Sequence, residues 1–175
     1  MQQPWKKLSH EIVFQKYSRK IEKSMFRLPN GEEKDFYIKV EGPAVAILAI
    51  TKNNQVILVR QFRPGPNEIF NEIPGGYIGK EETPEQAAKR ELLEETGYRG
   101  NVRLITTASD CAYSTMIRYC LVATECEKVA EQKLDKTEFA EVVLMPLNEF
   151  RELLRSGKMT DIEVGYLGLD FLGLL

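Results

Sequence analysis

The chain is poor in the residues that build covalent or transition-metal frameworks. Its three cysteines, Cys111, Cys120 and Cys126, are odd in number and show no C-x-x-C spacing, so neither a disulfide scaffold nor a zinc site is expected. They read as buried or incidental thiols of a reducing compartment. There is one histidine, His10, and no excess of positive charge: 24 basic against 26 acidic side chains leave a formal charge of -2. Without a basic field to release counterions, nucleic acid is not an expected partner. No stretch approaches the ~20 apolar residues of a membrane span, and the opening Met1-Gln-Gln-Pro-Trp-Lys-Lys-Leu-Ser-His10 lacks the apolar run of a signal peptide, so the expected location is the cytoplasm, away from membranes. Repeats, low-complexity segments and linkers are also missing. The 175 residues, 43% of them apolar, are enough for one ordinary globular core.

The patterning that is present predicts strands first. Residues 11 to 41 alternate apolar and polar types around the turn Pro29-Asn30-Gly31, as antiparallel strands do. Ala44 to Ile50 is an apolar run suited to a buried strand, and Lys52 to Gln55 turns it into the hairpin partner Val56 to Phe62. A short strand near Ile69 to Ile73 leads to Pro74-Gly75-Gly76, where the glycines are expected to allow positive φ and close approach of main chain to a ligand. Thr83-Pro84-Glu85-Gln86 has the form of a capping box and Gly97 that of a left-handed terminator, which brackets a helix at about 84 to 96. Further strands are expected near Val102 to Thr107, Met116 to Thr124 and Ala140 to Leu147. Asn148 is expected to cap a helix ending before Gly157, and Thr160-Asp-Ile-Glu163 to open a last helix with a second capping box. The order gives an α+β class, with a sheet sandwiched between helices.

From Gly76 the sequence reads GYIGKEETPEQAAKRELLEETGY. Glu91, Glu94 and Glu95 stand at i, i+3 and i+4, which gathers three carboxylates on one helix face. Such a face is either solvated or shares a hard divalent cation, which takes oxygen ligands. Ala87 and Ala88, one turn earlier, are expected to leave space beside that face.

The segment resembles the Nudix box, G-x5-E-x7-R-E-U-x-E-E-x-G-U with U apolar or aromatic, and every fixed position is filled. A chance match has a probability on the order of one in a billion per starting position. The resemblance implies an α/β/α sandwich with a mixed central sheet, preceded by an N-terminal antiparallel strand region. It divides the chain into residues 1–42, tied to substrate and dimer contacts, and a catalytic domain at 43–175. It further implies hydrolysis of a pyrophosphate bond with Mg²⁺, or Mn²⁺ as substitute. Glu91 and Glu95 would be the main metal ligands, Glu94 a further ligand or water-orienting group, and the Gly75 carbonyl an addition. Glu82 would reach a second metal, and Arg90 would orient the glutamates.

Val59-Arg-Gln-Phe-Arg63-Pro, Asn71-Glu-Ile-Pro-Gly-Gly76 and Ser156-Gly-Lys-Met-Thr-Asp161 extend the likeness to the branch acting on ADP-ribose and, close to it, GDP-mannose. Homodimers are common there, with substrate sites completed by the partner's N-terminal part. The branch often draws its general base from an acidic loop, here Leu134-Asp-Lys-Thr-Glu138-Phe-Ala-Glu141. Glu138 is the first candidate, Asp135 and Glu141 the alternatives. With His10 far from the box, a histidine base is not expected. Arg63 either holds a phosphate or base bidentately or forms an ion pair. Tyr113, Trp5, Phe26 and Phe36 either stack on a nucleobase or pack together. Where many ADP-ribose hydrolases carry Ser-Pro-Gly downstream of the box, this chain reads Ala108-Ser-Asp-Cys-Ala-Tyr-Ser-Thr115. ADP-ribose is the first substrate reading, GDP-mannose the second, and a module that senses a nucleotide without turnover the alternative class. The run Tyr166 to Leu175 is too short to span a membrane and reads as core or subunit contact.

Overall fold

The protein is described by a computed structural model covering residues 3 to 175. Its contacts divide the chain into two compact units. One holds the chain through Pro43 together with Ser109–Ile117, the other Ala44–Ala108 with Arg118–Leu175.

In the first unit β1 (Lys6–Lys16), β2 (Arg19–Arg27) and β3 (Glu33–Lys39) form an antiparallel sheet in that order. The β2–β3 turn closes with the Gly31 N–H donating to Leu28 O at 2.9 Å, Gly31 taking φ +88°. Trp5, Phe26 and Phe36 cluster with ring centroids 5.5 to 6.5 Å apart. Strand β1 leaves Ile12, Val13 and Phe14 about half exposed.

The second unit is built on a mixed sheet, β10-β5-β4-β9-β8, from β4 (Ala44–Thr51), β5 (Gln55–Arg63), β8 (Tyr98–Ser109), β9 (Ile117–Lys128) and β10 (Ala140–Pro146). Two short strands join its path, β6 (Glu68–Glu72) on β5 and β7 (Gly75–Tyr77) on β4. Strand β4 pairs antiparallel with β5 but parallel with β9. It is buried on both faces, which explains its unbroken apolar run. Val45, Ile47 and Ala49 pack with Ala87, Ala88 and Leu92 of helix α1 (Pro84–Thr96). Ala46, Leu48 and Ile50 pack with residues of α2 (Leu147–Ser156) and α3 (Ile162–Phe171). The result is the expected helix–sheet–helix sandwich. Ala87 and Ala88 do not open space beside the glutamates: both are fully buried, and their small side chains let α1 lie close on the sheet.

Two helix starts differ from expectation. Helix α2 begins two residues early, with Pro146 at its N-cap and no side-chain cap, so Asn148 lies inside the first turn. Helix α3 has Asp161 at its N-cap, in the left-handed region at φ +54°, again without a side-chain cap. The Thr160 side chain is turned to the core instead, its hydroxyl donating to the buried carboxylate Glu72 Oε1 at 2.8 Å. Among the described residues, no helix is long and apolar enough to cross a membrane.

Candidate active site

Helix α1 is fixed at both ends by the residues that announced it. Gln86 N–H donates to Thr83 Oγ1 at 3.2 Å, and Thr83 N–H to Gln86 Oε1 at 2.8 Å. Gly97 ends the helix at φ +75°, and a side chain there would also sit 2.1 Å from Ala130 O. The Gly97 carbonyl accepts from Val129 and Ala130 N–H, which turns the chain leaving β9 under the helix. The last carbonyls of a helix need partners from outside it. Here Lys133 N–H donates to Glu94 O at 2.7 Å and Gln132 Nε2 to Glu95 O at 2.6 Å. That is why the acidic loop lies against the glutamate face.

Arg90, Glu91, Glu94 and Glu95 thereby line one cavity of about 280 Å³ with Lys133, Leu134, Asp135 and Glu138. Asp135 and Glu138 come to the helix glutamates, and the Glu138 carboxylate accepts the Asp135 N–H at 3.0 Å. Glu141 lines a different groove, with Arg60, Phe62 and Phe139.

Arg90 organises the carboxylates. Its Nε and Nη2 reach the two oxygens of Glu82 at 2.7 and 2.9 Å, and Nη1 donates to Glu91 at 2.8 Å and Glu94 at 3.2 Å. This bidentate bond, with a further bond from the Gly79 N–H, holds the Glu82 pKa down to about 2. Glu95 is different: its Oε2 accepts the Gly75 N–H at 2.9 Å, and burial, with Glu91 and Glu138 nearby, pushes its pKa up to about 8. Glu91 is raised as well, by burial first and then by Glu94 and Glu138, against the pull of Arg90. Two crowded carboxylates that resist ionisation mark a place where positive charge would be stabilising.

The glycines serve space rather than unusual backbone angles. Neither Gly75 nor Gly76 has positive φ; both belong to β7, opposite Ala46 and Val45. A Cβ on Gly75 would meet Val45 O at 2.3 Å, and one on Gly76 would meet Glu91 Oε1 at 2.3 Å. Among the described residues no three His, Cys, Asp or Glu side chains converge as a metal cluster; Arg90 bonds Glu82, Glu91 and Glu94, and the Gly75 N–H bonds Glu95.

Arg63 forms an ion pair: Nε and Nη2 lie 2.7 and 2.6 Å from Glu72 Oε2. Glu72 is 1% exposed and was not among the candidate residues. A lone glutamate one residue before Ile73, at the inner end of an apolar strand, was the signal for it. Gln132, which sequence patterning also missed, is an ordinary polar residue with no such mark. Tyr113 belongs to the first unit, stacked on Phe36 at 6.5 Å.

Residues 40–164 match the NUDIX domain model. The chain is 35% identical over 142 residues to the ADP-ribose pyrophosphatase of Bacillus subtilis, covering 79% of this chain and 77% of that one. It is 32% identical over 172 residues to the methanol dehydrogenase activator of Bacillus methanolicus, covering 94% and 93%. Against mouse ADP-sugar pyrophosphatase it is 30% identical over 160 residues, covering 81% and 73%. A solved structure described as an ADP compounds hydrolase superposes with a TM-score of 0.81 at 22% identity, over 99% of this chain and 98% of that one, which concerns the fold. With the family model spanning most of the chain, the protein belongs to the NUDIX family and is a Nudix hydrolase.

Proposed function

We propose that the protein hydrolyses the pyrophosphate bond of a nucleoside diphosphate linked to a second group, with ADP-ribose, giving AMP and ribose 5-phosphate, as the first substrate. The observation that carries the reading is one cavity in which Glu91, Glu94 and Glu95 of a helix face Asp135 and Glu138 of a loop. The names of the B. subtilis and mouse relatives favour an ADP-linked substrate over GDP-mannose.

The donors suit Mg²⁺ or Mn²⁺: they are hard oxygens, and two of the carboxylates have raised pKa values that a cation would bring down. Glu91 and Glu95 would hold the ion, with Glu94 and the Gly75 carbonyl beside them. Glu82 would reach a second ion by leaving Arg90. Bound there, such an ion neutralises phosphate charge and acidifies water.

Arg90 holds Glu82, Glu91 and Glu94 around one guanidinium at the cavity. Glu138 takes a proton from the attacking water as its oxygen bonds to one phosphorus and the bridging P–O bond breaks. Arg63 offers a guanidinium to the diphosphate. The half-exposed Ile12, Val13 and Phe14 of β1 are the proposed homodimer surface, which light scattering tests.

The deciding experiment is hydrolysis of a panel of ADP-ribose, GDP-mannose, NADH, diadenosine polyphosphates and nucleoside triphosphates with Mg²⁺, reading products. ADP-ribose converted to AMP at the highest kcat/KM supports the reading. A nucleoside triphosphate or diadenosine polyphosphate as the best substrate would overturn the ADP-ribose reading, and binding of nucleotide with no turnover of any of them would end the hydrolase reading and favour a sensing module.

A further inference from the structure

The segment Ser156 to Asp161 stands out in the sequence, yet the mechanism above gives it no task. Its place in the structure supplies one. Thr160 follows the buried Met159 in the link between α2 and α3, and its hydroxyl donates to Glu72. Glu72 is saturated: Oε1 accepts from Thr160 at 2.8 Å, while Oε2 accepts from Gln61 Nε2 at 3.0 Å and Arg63 Nε at 2.7 Å. The next residue but two, Gly75, donates its N–H to Glu95. Asp161, beside Thr160, is anchored by Arg118 Nη1 at 2.5 Å.

We infer that Thr160 and Glu72 form a clasp that holds Arg63 in the orientation needed for the substrate's diphosphate. Thr160 and Glu72 are positioning residues, and Arg63 is the group that touches substrate. Geometry supports each step. An arginine bonded through Nε and one Nη has its planar fork fixed in rotation. Arg63 is held in this way, and its Nη1 has no bond among the described residues on a side chain 44% exposed. Glu72 ends β6 three residues before Gly75, whose N–H donates to Glu95 at 2.9 Å, so the clasp is joined to the proposed metal-binding glutamates through the short link into β7. A buried carboxylate with one oxygen left unpaired would relax or recruit water. Thr160 prevents this from a segment otherwise remote in sequence, and the arginine cannot swing with its partner.

The inference rests on the proposed pyrophosphate chemistry, and the test separates the two. Thr160→Val removes the hydroxyl at nearly constant shape, and Thr160→Ser restores it. With ADP-ribose and Mg²⁺, Thr160→Val is expected to raise KM about tenfold, the effect of one lost charge-assisted hydrogen bond, with kcat within about twofold and a melting temperature lowered by only a few degrees, so that the protein remains folded. Thr160→Ser is expected to behave as wild type. In an Arg63→Ala background Thr160→Val is expected to have no further effect on KM, because the clasp then has nothing to hold. An unchanged KM in Thr160→Val, or an equal rise in both backgrounds, overturns the clasp. Should the wild type fail to hydrolyse ADP-ribose, the substrate reading falls, and calorimetric binding of ADP decides the clasp alone. It stands if Thr160→Val weakens ADP binding only when Arg63 is present, and falls if ADP binds wild type no better than Arg63→Ala.

Discussion

Glu95 ties the stability of the protein to pH in a direction opposite to that of most carboxylates. Its pKa in the folded protein is about 8, against an ordinary 4.5. Between those values the folded state keeps a proton that the unfolded chain has released. Stability is therefore fully present below about pH 4.5 and is lost as pH rises toward 8, levelling off above it. At ~1.4 kcal/mol per pH unit the full window is worth at most about 5 kcal/mol, and about 2 kcal/mol where water relieves a half-buried carboxyl. With ~2–4 °C of melting temperature per kcal/mol in a domain of this size, the metal-free protein should melt about 5 to 15 °C lower at pH 8 than at pH 5. The assay is thermal unfolding in EDTA across that range at constant ionic strength. Glu91 and Asp161 are raised too and add to the slope, so the decisive quantity is the difference between wild type and Glu95→Gln. The amide keeps an acceptor for the Gly75 N–H but has nothing to titrate, so the slope should flatten. Adding Mg²⁺ should restore more stability at pH 8 than at pH 5, because a cation binds the ionised form. Equal slopes in wild type and Glu95→Gln would refute the reasoning.

Glu138→Gln should lower kcat by ~100-fold or more with little change in KM; an unchanged kcat would move the base to Asp135. Gly75→Ala should destabilise the fold by roughly 2 kcal/mol or more, since its Cβ meets the Val45 backbone. Gly76→Ala, whose Cβ meets only the mobile end of Glu91, should fold yet lose activity, and paired melting curves and rates check both. Arg90→Lys should lower kcat by ~10-fold or more, because an ammonium cannot hold Glu82 bidentately while bonding Glu91 and Glu94; full activity would remove Arg90 from the orienting role.

How much of this was legible in sequence depended on whether the signal was local. Helix α1 was readable because its cap, first proline and terminating glycine act within a few residues, and the glutamate face follows from the 3.6-residue period alone. Strand β4 was readable because burial on both faces leaves an apolar run. The acidic loop could be named but not placed, since its position comes from Gln132 and Lys133 satisfying helix carbonyls far away in the chain. Thr160 misled for the converse reason: its local pattern fits a capping box, but its side chain is turned to a buried carboxylate 88 residues earlier. Gly75 and Gly76 signalled a tight place correctly, yet the tightness is against Val45 and Glu91 and leaves the backbone angles ordinary.

The most direct measurement is hydrolysis of ADP-ribose with Mg²⁺ by wild type and by Glu95→Gln, following AMP and ribose 5-phosphate. Loss of the charge proposed to bind metal should reduce turnover by ~100-fold or more while the protein remains folded by circular dichroism. Turnover by Glu95→Gln close to that of wild type would contradict the assignment of this helix face as the catalytic centre.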